Sequence, residues 1–169
     1  IKKGLINLRG TNKGLQKTVF GALLIAISVV LGRLVLIPVP MTKGNINLCD
    51  LGILIGSLLL GPWYGLIIGG FSGMLLDLFS GYTQYMFFSF IAHGLEGFAA
   101  GWLYRRSHSK TLALTVGVII MVIGYFFTDW YLSKTLLTAL IGIGTNILQG
   151  AVGAIVAVMV EKPLEKRLH

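Results

Sequence analysis

The sequence predicts an all-α membrane protein: six transmembrane helices in one compact bundle, with both termini cytoplasmic. Three observations predict it. Of the 169 residues, 55% are hydrophobic and only 12% charged, with a mean hydropathy of +0.83, a composition that points away from a soluble domain. Apolar runs recur along the chain, each closed by a polar, glycine- or proline-bearing stop. The Lys and Arg residues collect on alternate connections between those runs.

Each run has its own boundaries. The first extends from about Thr18 to Ile37 and stops at "PVP". The second covers about Leu48 to Leu60 and stops at "GPWYG"; the third covers about Leu66 to Phe79 and stops at "SGYTQY". The fourth, Met86 to Leu103, ends in "YRRSHSK". The fifth is Leu112 to Trp130, and the sixth runs from about Leu136 to Val160, before "EKPLEKRLH". A full span needs ~20 residues, so the second and third are expected to be tilted, broken or partly re-entrant. Residues 1–169 form a single integral membrane domain, with a basic cytoplasmic segment at 1–17 and a cytoplasmic tail at 161–169. The N-terminal segment reads equally as an interfacial helix on anionic lipid or as a positive tail that sets orientation. The chain begins at Ile1 rather than Met, so a trimmed start is expected, and the first run is too long and lacks the small-residue site of a cleavable signal.

Charge sets the expected orientation. The side that holds both termini and the loops at 61–65 and 104–111 collects Lys2, Lys3, Arg9, Lys13, Lys17, Arg105, Arg106, Lys110, Lys162, Lys166 and Arg167. The other side has Lys43 and Lys134, with Arg33 near the outer end of the first span. That side is outside, with the loops at 38–47, 80–85 and 131–135.

Several function classes are excluded. The net charge of +8 is dispersed in short clusters without an aromatic-interleaved basic face, which argues against nucleic acid. A single cysteine, Cys49, excludes an internal disulfide and any multi-cysteine metal site. "HGLE" has no second His at metalloprotease spacing, and "GPWYGLIIGG" lacks the Lys-Ser/Thr of a nucleotide-binding loop. No catalytic residues and no metal site are expected, and ATP would have to be bound by another chain. No internal repeat relates the first three spans to the last three, as many secondary transporters show.

Small residues are ordered along the helices. Gly65, Gly69 and Gly73 recur every four residues, and Gly94, Gly97 and Gly101 stripe the fourth span. Gly142, Gly150, Gly153 and Ala157 do so on the sixth. Such spacing lets helix backbones approach closely, so internal packing is the default reading. "ALLIA" places Ala22 and Ala26 four apart near the cytoplasmic end of the first span, for packing inside the chain or against a partner.

Four acidic residues, Asp50, Asp77, Glu96 and Asp129, lie inside or at the edge of spans, where ionisable groups are costly and point to function. His93 and Glu96 share a helix face, as do Asn47 and Asp50, and Asn146 and Gln149. Tyr125 sits one turn before Asp129, while Tyr82, Tyr85, Trp130 and Tyr131 surround the outer end. Together these suggest an outward-facing pocket, polar below and aromatic above. The plainer readings are helix caps for Asp50 and Asp77, interfacial anchors for Trp130 and Tyr131, and a structural ion pair for His93 with Glu96.

The stretches "NLCDLGILIGSLLLGPWYG", "GGFSGMLLDLFSGYTQY" and "HGLEGFAAG" carry a resemblance. Over nearly its whole length the chain resembles the substrate-binding S components of energy-coupling-factor (ECF) vitamin transporters of bacteria. It is most similar to the branch assigned to hydroxymethylpyrimidine, a thiamine precursor, although His93 stands where related chains often have Lys. Pyridoxine-like ligands and pantothenate stay open. The resemblance implies a substrate-specific subunit of an ABC-type importer in the bacterial cell membrane. It further implies a complex with a transmembrane coupling subunit and two ATPase subunits, which bind ATP and Mg; this chain binds no cofactor. It also implies that "ALLIA", through Ala22 and Ala26, contacts the coupling subunit.

On this reading Glu96 accepts hydrogen bonds from a ring amine, because charge-assisted bonds are the strong ones. His93, Asn146, Gln149 and Asp77 add polar contacts, and Tyr85, Phe88, Tyr125 and Trp130 stack on the ring, with Asp129 beside them. Asn47 and Asp50 close the pocket from the outer loop. Two competing readings remain: a membrane scaffold subunit of a cell-shape complex, and an autonomous proton-coupled carrier using Glu96 and His93.

Overall fold

The computed structural model describes residues 8–38 and 45–168, with side chains over 13–38 and 45–160. Residues 1–7, the loop 39–44 with Lys43, and the side chains of 8–12 and of the 161–169 tail lie outside the described residues, and the expectations placed there go with them.

Among the described residues six helices form: α1 Leu8–Leu34, α2 Asp50–Leu60, α3 Pro62–Ser80, α4 Met86–Ser107, α5 Lys110–Ser133 and α6 Leu136–Leu168. Between α1 and α2 a two-stranded ribbon pairs β1 Ile37–Pro38 antiparallel with β2 Asn45–Ile46. Among the described residues, four helical stretches are long and apolar enough to cross a membrane: Lys13–Leu34, Pro62–Ser80, Lys110–Ser133 and Leu136–Val160. α4 has 22 residues, about 33 Å of helix, but its polar residues lower its hydropathy.

Most boundaries shift from the sequence expectation: α1 begins at Leu8, inside the segment read as a separate N-terminal one, and α4 and α5 each extend a few residues further, while two shifts have a clear local reason. α1 ends at Leu34 rather than Ile37, because the residue before a proline favours extended backbone and Ile37–Pro38 pairs instead with β2. "GPWYG" is a hinge that also starts a helix: Gly61 takes φ +90°, which only glycine adopts readily, and Pro62 occupies the first turn of α3, where its missing N–H costs nothing. α6 continues eight residues past Val160.

α2 is short because it is a core helix. It packs against α1, α3, α4 and α6, and nearly all of its side chains are buried. An apolar helix of 11 residues is too short to span, yet being buried all round it needs no polar face. The α3–α4 seam is built on glycines. A Cβ at Gly97 would collide with the carbonyl oxygen of Gly65, a Cβ at Gly69 with that of His93, and a Cβ at Gly101 would lie 2.7 Å from the Gly61–Pro62 peptide. The two backbones are therefore in direct contact, which fixes the height and rotation of α4. α5 packs on α4, α6 on α5, and α6 returns to α2, where Gly153 accommodates the Asp50 side chain. Apolar side chains such as Leu23, Ile27, Ile123, Phe127 and Ile155 point outward, as a lipid-facing surface requires.

Candidate functional site

Where α2 begins, α4 and α6 each bring polar side chains to one buried point. Asp50 is the first residue of α2, held by the antiparallel ribbon and the Asn47 turn. Asn47 fixes that turn locally: its Oδ1 accepts from the Cys49 N–H at 2.9 Å and its Nδ2 donates to Asn45 Oδ1 at 2.9 Å. From α4, three residues apart on one face, come His93 and Glu96. His93 Nδ1 lies 2.8 Å from Glu96 Oε2 and 3.3 Å from Asp50 Oδ1, so one imidazole nitrogen faces two carboxylates. From α6, Gln149 Nε2 donates to Asp50 at 3.2 and 3.4 Å, while Gln149 Oε1 accepts from the Asn47 backbone N–H at 3.0 Å. Gln149 thereby ties the ribbon side of the site to α6.

All of these groups are shielded: Asp50 and Glu96 are 0% exposed and His93 is 1%. Burying two carboxylates is expensive unless each is fully paired. Pairing here is incomplete. Glu96 Oε1 has no hydrogen-bond partner among the described residues, nor has Asp77 Oδ2 on α3.

Around this cluster sits a tyrosine layer. The Tyr125 hydroxyl bonds Ser89 Oγ at 2.6 Å, and its ring meets the His93 ring edge-on at 5.4 Å. Tyr85 donates to Asp129 Oδ1 at 2.7 Å and lies 6.5 Å from the Tyr125 ring. Gly142 on α6 leaves the space that Asp129 Oδ2 occupies. Asn146 is buried about one turn before Gln149.

The structure thus brings together Asn47, Asp50, His93, Glu96 and Gln149, with Tyr125, Tyr85, Asp129, Asp77 and Asn146 around them. It does not bring Phe88 and Trp130 to the cluster. They line a separate cleft of about 600 Å3 between α4 and α5, with Phe127, Tyr131 and Lys134, whose Nζ sits 4.1 Å over the Tyr131 ring. The sequence suggested a wet pocket beneath an aromatic mouth. In the structure the polar cluster is buried, with Asp50 and Gln149 bonded to one another within it. Ser89 was not anticipated. Its position four residues before His93, on the same helix face, was the available signal.

At the opposite end, α1, the α2–α3 turn and the end of α4 meet. Thr18 and Tyr64 share a hydroxyl contact at 3.3 Å, and Arg105 Nη2 donates to the Leu60 carbonyl at 2.9 Å. Lys13, Lys17, Arg105 and Arg106 therefore gather at the end away from the acidic cluster. On α1, Leu24 and Ser28 face the core, whereas Ala22 and Ala26 are exposed beside Leu23 and Ile27.

Comparison with known proteins adds a family. A family model described as "ECF-type riboflavin transporter, S component" matches residues 12–166. The thiamine precursor transporter HmpT of Lactococcus lactis subsp. cremoris is 38% identical over 156 residues, covering 92% of this chain and 91% of that protein. The solved structure of the S component of a bacterial ECF transporter aligns with a TM-score of 0.76 at 22% identity, over 92% of this chain and 98% of that one. The S component for biotin from an ECF-type ABC transporter aligns with a TM-score of 0.68 at 23% identity, over 96% and 95%. At these identities the two structures speak for the fold.

Proposed function

This chain belongs to the S components of ECF-type transporters, the substrate-specific membrane subunits of these importers, and from that membership we propose that it captures the thiamine precursor hydroxymethylpyrimidine at the Asp50–His93–Glu96–Gln149 cluster. It is a transport subunit and not an enzyme. The scaffold and autonomous-carrier readings fall away with the family.

The observation that carries the ligand reading is Glu96 Oε1, a buried carboxylate oxygen without a partner among the described residues. Leaving such an acceptor unpaired costs about 1–3 kcal/mol or more for a charged group, and a ligand that donates to it recovers that cost. An aminopyrimidine offers an exocyclic N–H donor beside ring-nitrogen acceptors, which complements a carboxylate next to an imidazole and a carboxamide. Pantothenate fits poorly, since its own carboxylate would face Asp50 and Glu96. Pyridoxine-like rings offer hydroxyl donors but no exocyclic amine on the ring. Riboflavin, named by the family model, brings three fused rings to a closed site. The 38%-identical relative is named for a thiamine precursor and matches over nearly its whole length, which supports the smaller ring.

Entry requires the site to open. The link from the Asn47 N–H to Gln149 is the contact that must part, lifting the ribbon side of α2 away from α6. Six helices cross or enter the bilayer on this reading, with both termini cytoplasmic. The gathering of Lys13, Lys17, Arg105 and Arg106 at one end supports it, and on this reading the acidic cluster lies toward the outside.

Delivery then falls to partners: a transmembrane coupling subunit and two ATPase subunits that bind ATP and Mg, with no nucleotide bound by this chain. Ala22 and Ala26 suit a helix–helix contact with the coupling subunit, being small, four apart and exposed. The double variant Ala22→Leu, Ala26→Leu is expected to bind ligand as the wild type does and to lose ATP-dependent uptake in cells expressing the coupling module. Loss of binding would assign these alanines to folding instead.

The test of the ligand is calorimetry of the purified chain against hydroxymethylpyrimidine, pyridoxine, pantothenate and riboflavin. Binding of hydroxymethylpyrimidine at one per chain, tighter than the other three, is expected. Preference for riboflavin, or no binding of the pyrimidine, would overturn the proposal.

A further inference from the structure

Besides an organic ligand, the same three acidic and imidazole groups have the chemistry of a metal centre. We propose that Asp50, His93 and Glu96 form a binding site for one divalent transition-metal ion of the zinc class. The inference goes beyond the vitamin-precursor reading and does not depend on it.

Donor placement comes first. One ligand atom from each residue lies within 4.8 Å of the others, and all three residues are buried. The His93 Nδ1 distances of 2.8 Å to Glu96 and 3.3 Å to Asp50 are close to the separation of donors around a single small ion. With metal–donor bonds of about 2.0–2.2 Å, modest torsions of the three side chains suffice to centre an ion among them.

Charge is the second argument. Two carboxylates and a neutral imidazole carry two negative charges, which a divalent cation neutralises. Without a cation, that charge is offset only by the imidazole proton or by protonation of the acids themselves, and a divalent ion competes with those protons for the same oxygens. Glu96 Oε1, the acceptor that the pyrimidine reading also uses, is fully buried, belongs to the cluster and accepts nothing among the described residues, so an ion bound there would satisfy it without any organic ligand.

Third, the carboxylate of Asp50 is held from behind. Gln149 donates to both of its oxygens, and the Gln149 amide is itself fixed by the Asn47 N–H on its oxygen. Such outer hydrogen bonds orient metal-binding carboxylates. The imidazole donor selects zinc-class ions over Mg2+ and Ca2+, which prefer all-oxygen surroundings.

The test uses the full chain purified in detergent, stripped with a chelator, without any organic ligand, and titrated with ZnCl2. One zinc per chain is expected by elemental analysis after dialysis, retained in Cys49→Ser and in His108→Asn. Glu96→Gln and Asp50→Asn are each expected to weaken zinc binding by about tenfold or more. Zinc-edge absorption of the wild type, which needs no variant to fold, should show one imidazole and otherwise oxygen donors, without sulfur. Absence of stoichiometric zinc, a sulfur donor, or zinc binding unchanged by Glu96→Gln would overturn the proposal. Failure here leaves pyrimidine binding intact as a measurement, and failure of pyrimidine binding leaves zinc binding intact, so the two readings fail separately.

Discussion

Replacing Glu96 by Gln weakens hydroxymethylpyrimidine binding by about 10–100-fold while the protein remains folded: this is the largest functional effect the site predicts. The substitution keeps the shape of the side chain and removes its charge. A hydrogen bond to a charged group contributes about 1.5–3 kcal/mol, which corresponds to that range of affinity. The fold should tolerate the change, because a neutral amide in this closed site relieves the cost of a second buried carboxylate beside Asp50. Calorimetry measures the affinity and a thermal melt in detergent checks the fold. An unchanged affinity would place the ligand away from Glu96.

The largest structural effect is expected at Gly97. Its missing Cβ is the space taken by the Gly65 carbonyl of α3, and the reverse holds for Gly65. Backbone cannot rotate away as a side chain does, so Gly97→Ala must push α4 from α3. Overpacking typically costs 1–3 kcal/mol, and a backbone collision falls at about the upper end of that range. Gly94 is the internal comparison. A Cβ there meets the Leu66 carbonyl at 3.4 Å and the Gly70 backbone at 3.7 Å, both ordinary contacts. Gly144 is open, with nothing within 4 Å. Thermal melts should therefore rank Gly97→Ala well below Gly94→Ala and Gly144→Ala. Equal midpoints would mean that the α3–α4 seam is looser than the backbone contacts indicate. Ligand affinity should fall with Gly97→Ala as well, since Glu96 adjoins Gly97 and rides on the same turn.

The six helices were legible because hydropathy and stop residues mark them directly. The ends were less legible where proline has two meanings. Pro62 was read as part of a stop, whereas it begins α3, and the Pro38 region was read as the end of a span, whereas it begins a ribbon. The glycine faces of α3 and α4 were legible from spacing alone, since such intervals fix a helix face without reference to its neighbour, but that the two faces meet was not.

The site was half legible. Spacing paired His93 with Glu96, Asn47 with Asp50 and Asn146 with Gln149, because each pair shares one local element. What joins the pairs is not local: Gln149 reaches Asp50 across 99 residues of sequence, and that contact closes the site. Phe88 and Trp130 show the same limit. Both were read as stacking on the ligand ring, but rotation about α4 and α5 turns them into the outer cleft, and rotation depends on which helices pack together.

One measurement tests the central claim most directly: a structure of the full chain in lipid with hydroxymethylpyrimidine bound. The account predicts the pyrimidine between the start of α2 and α6, its amine within hydrogen-bond distance of Glu96 Oε1 and the Asn47–Gln149 link rearranged around it. A pyrimidine seated instead in the Phe88–Trp130 cleft, with the Asp50–His93–Glu96 cluster unchanged, would contradict it.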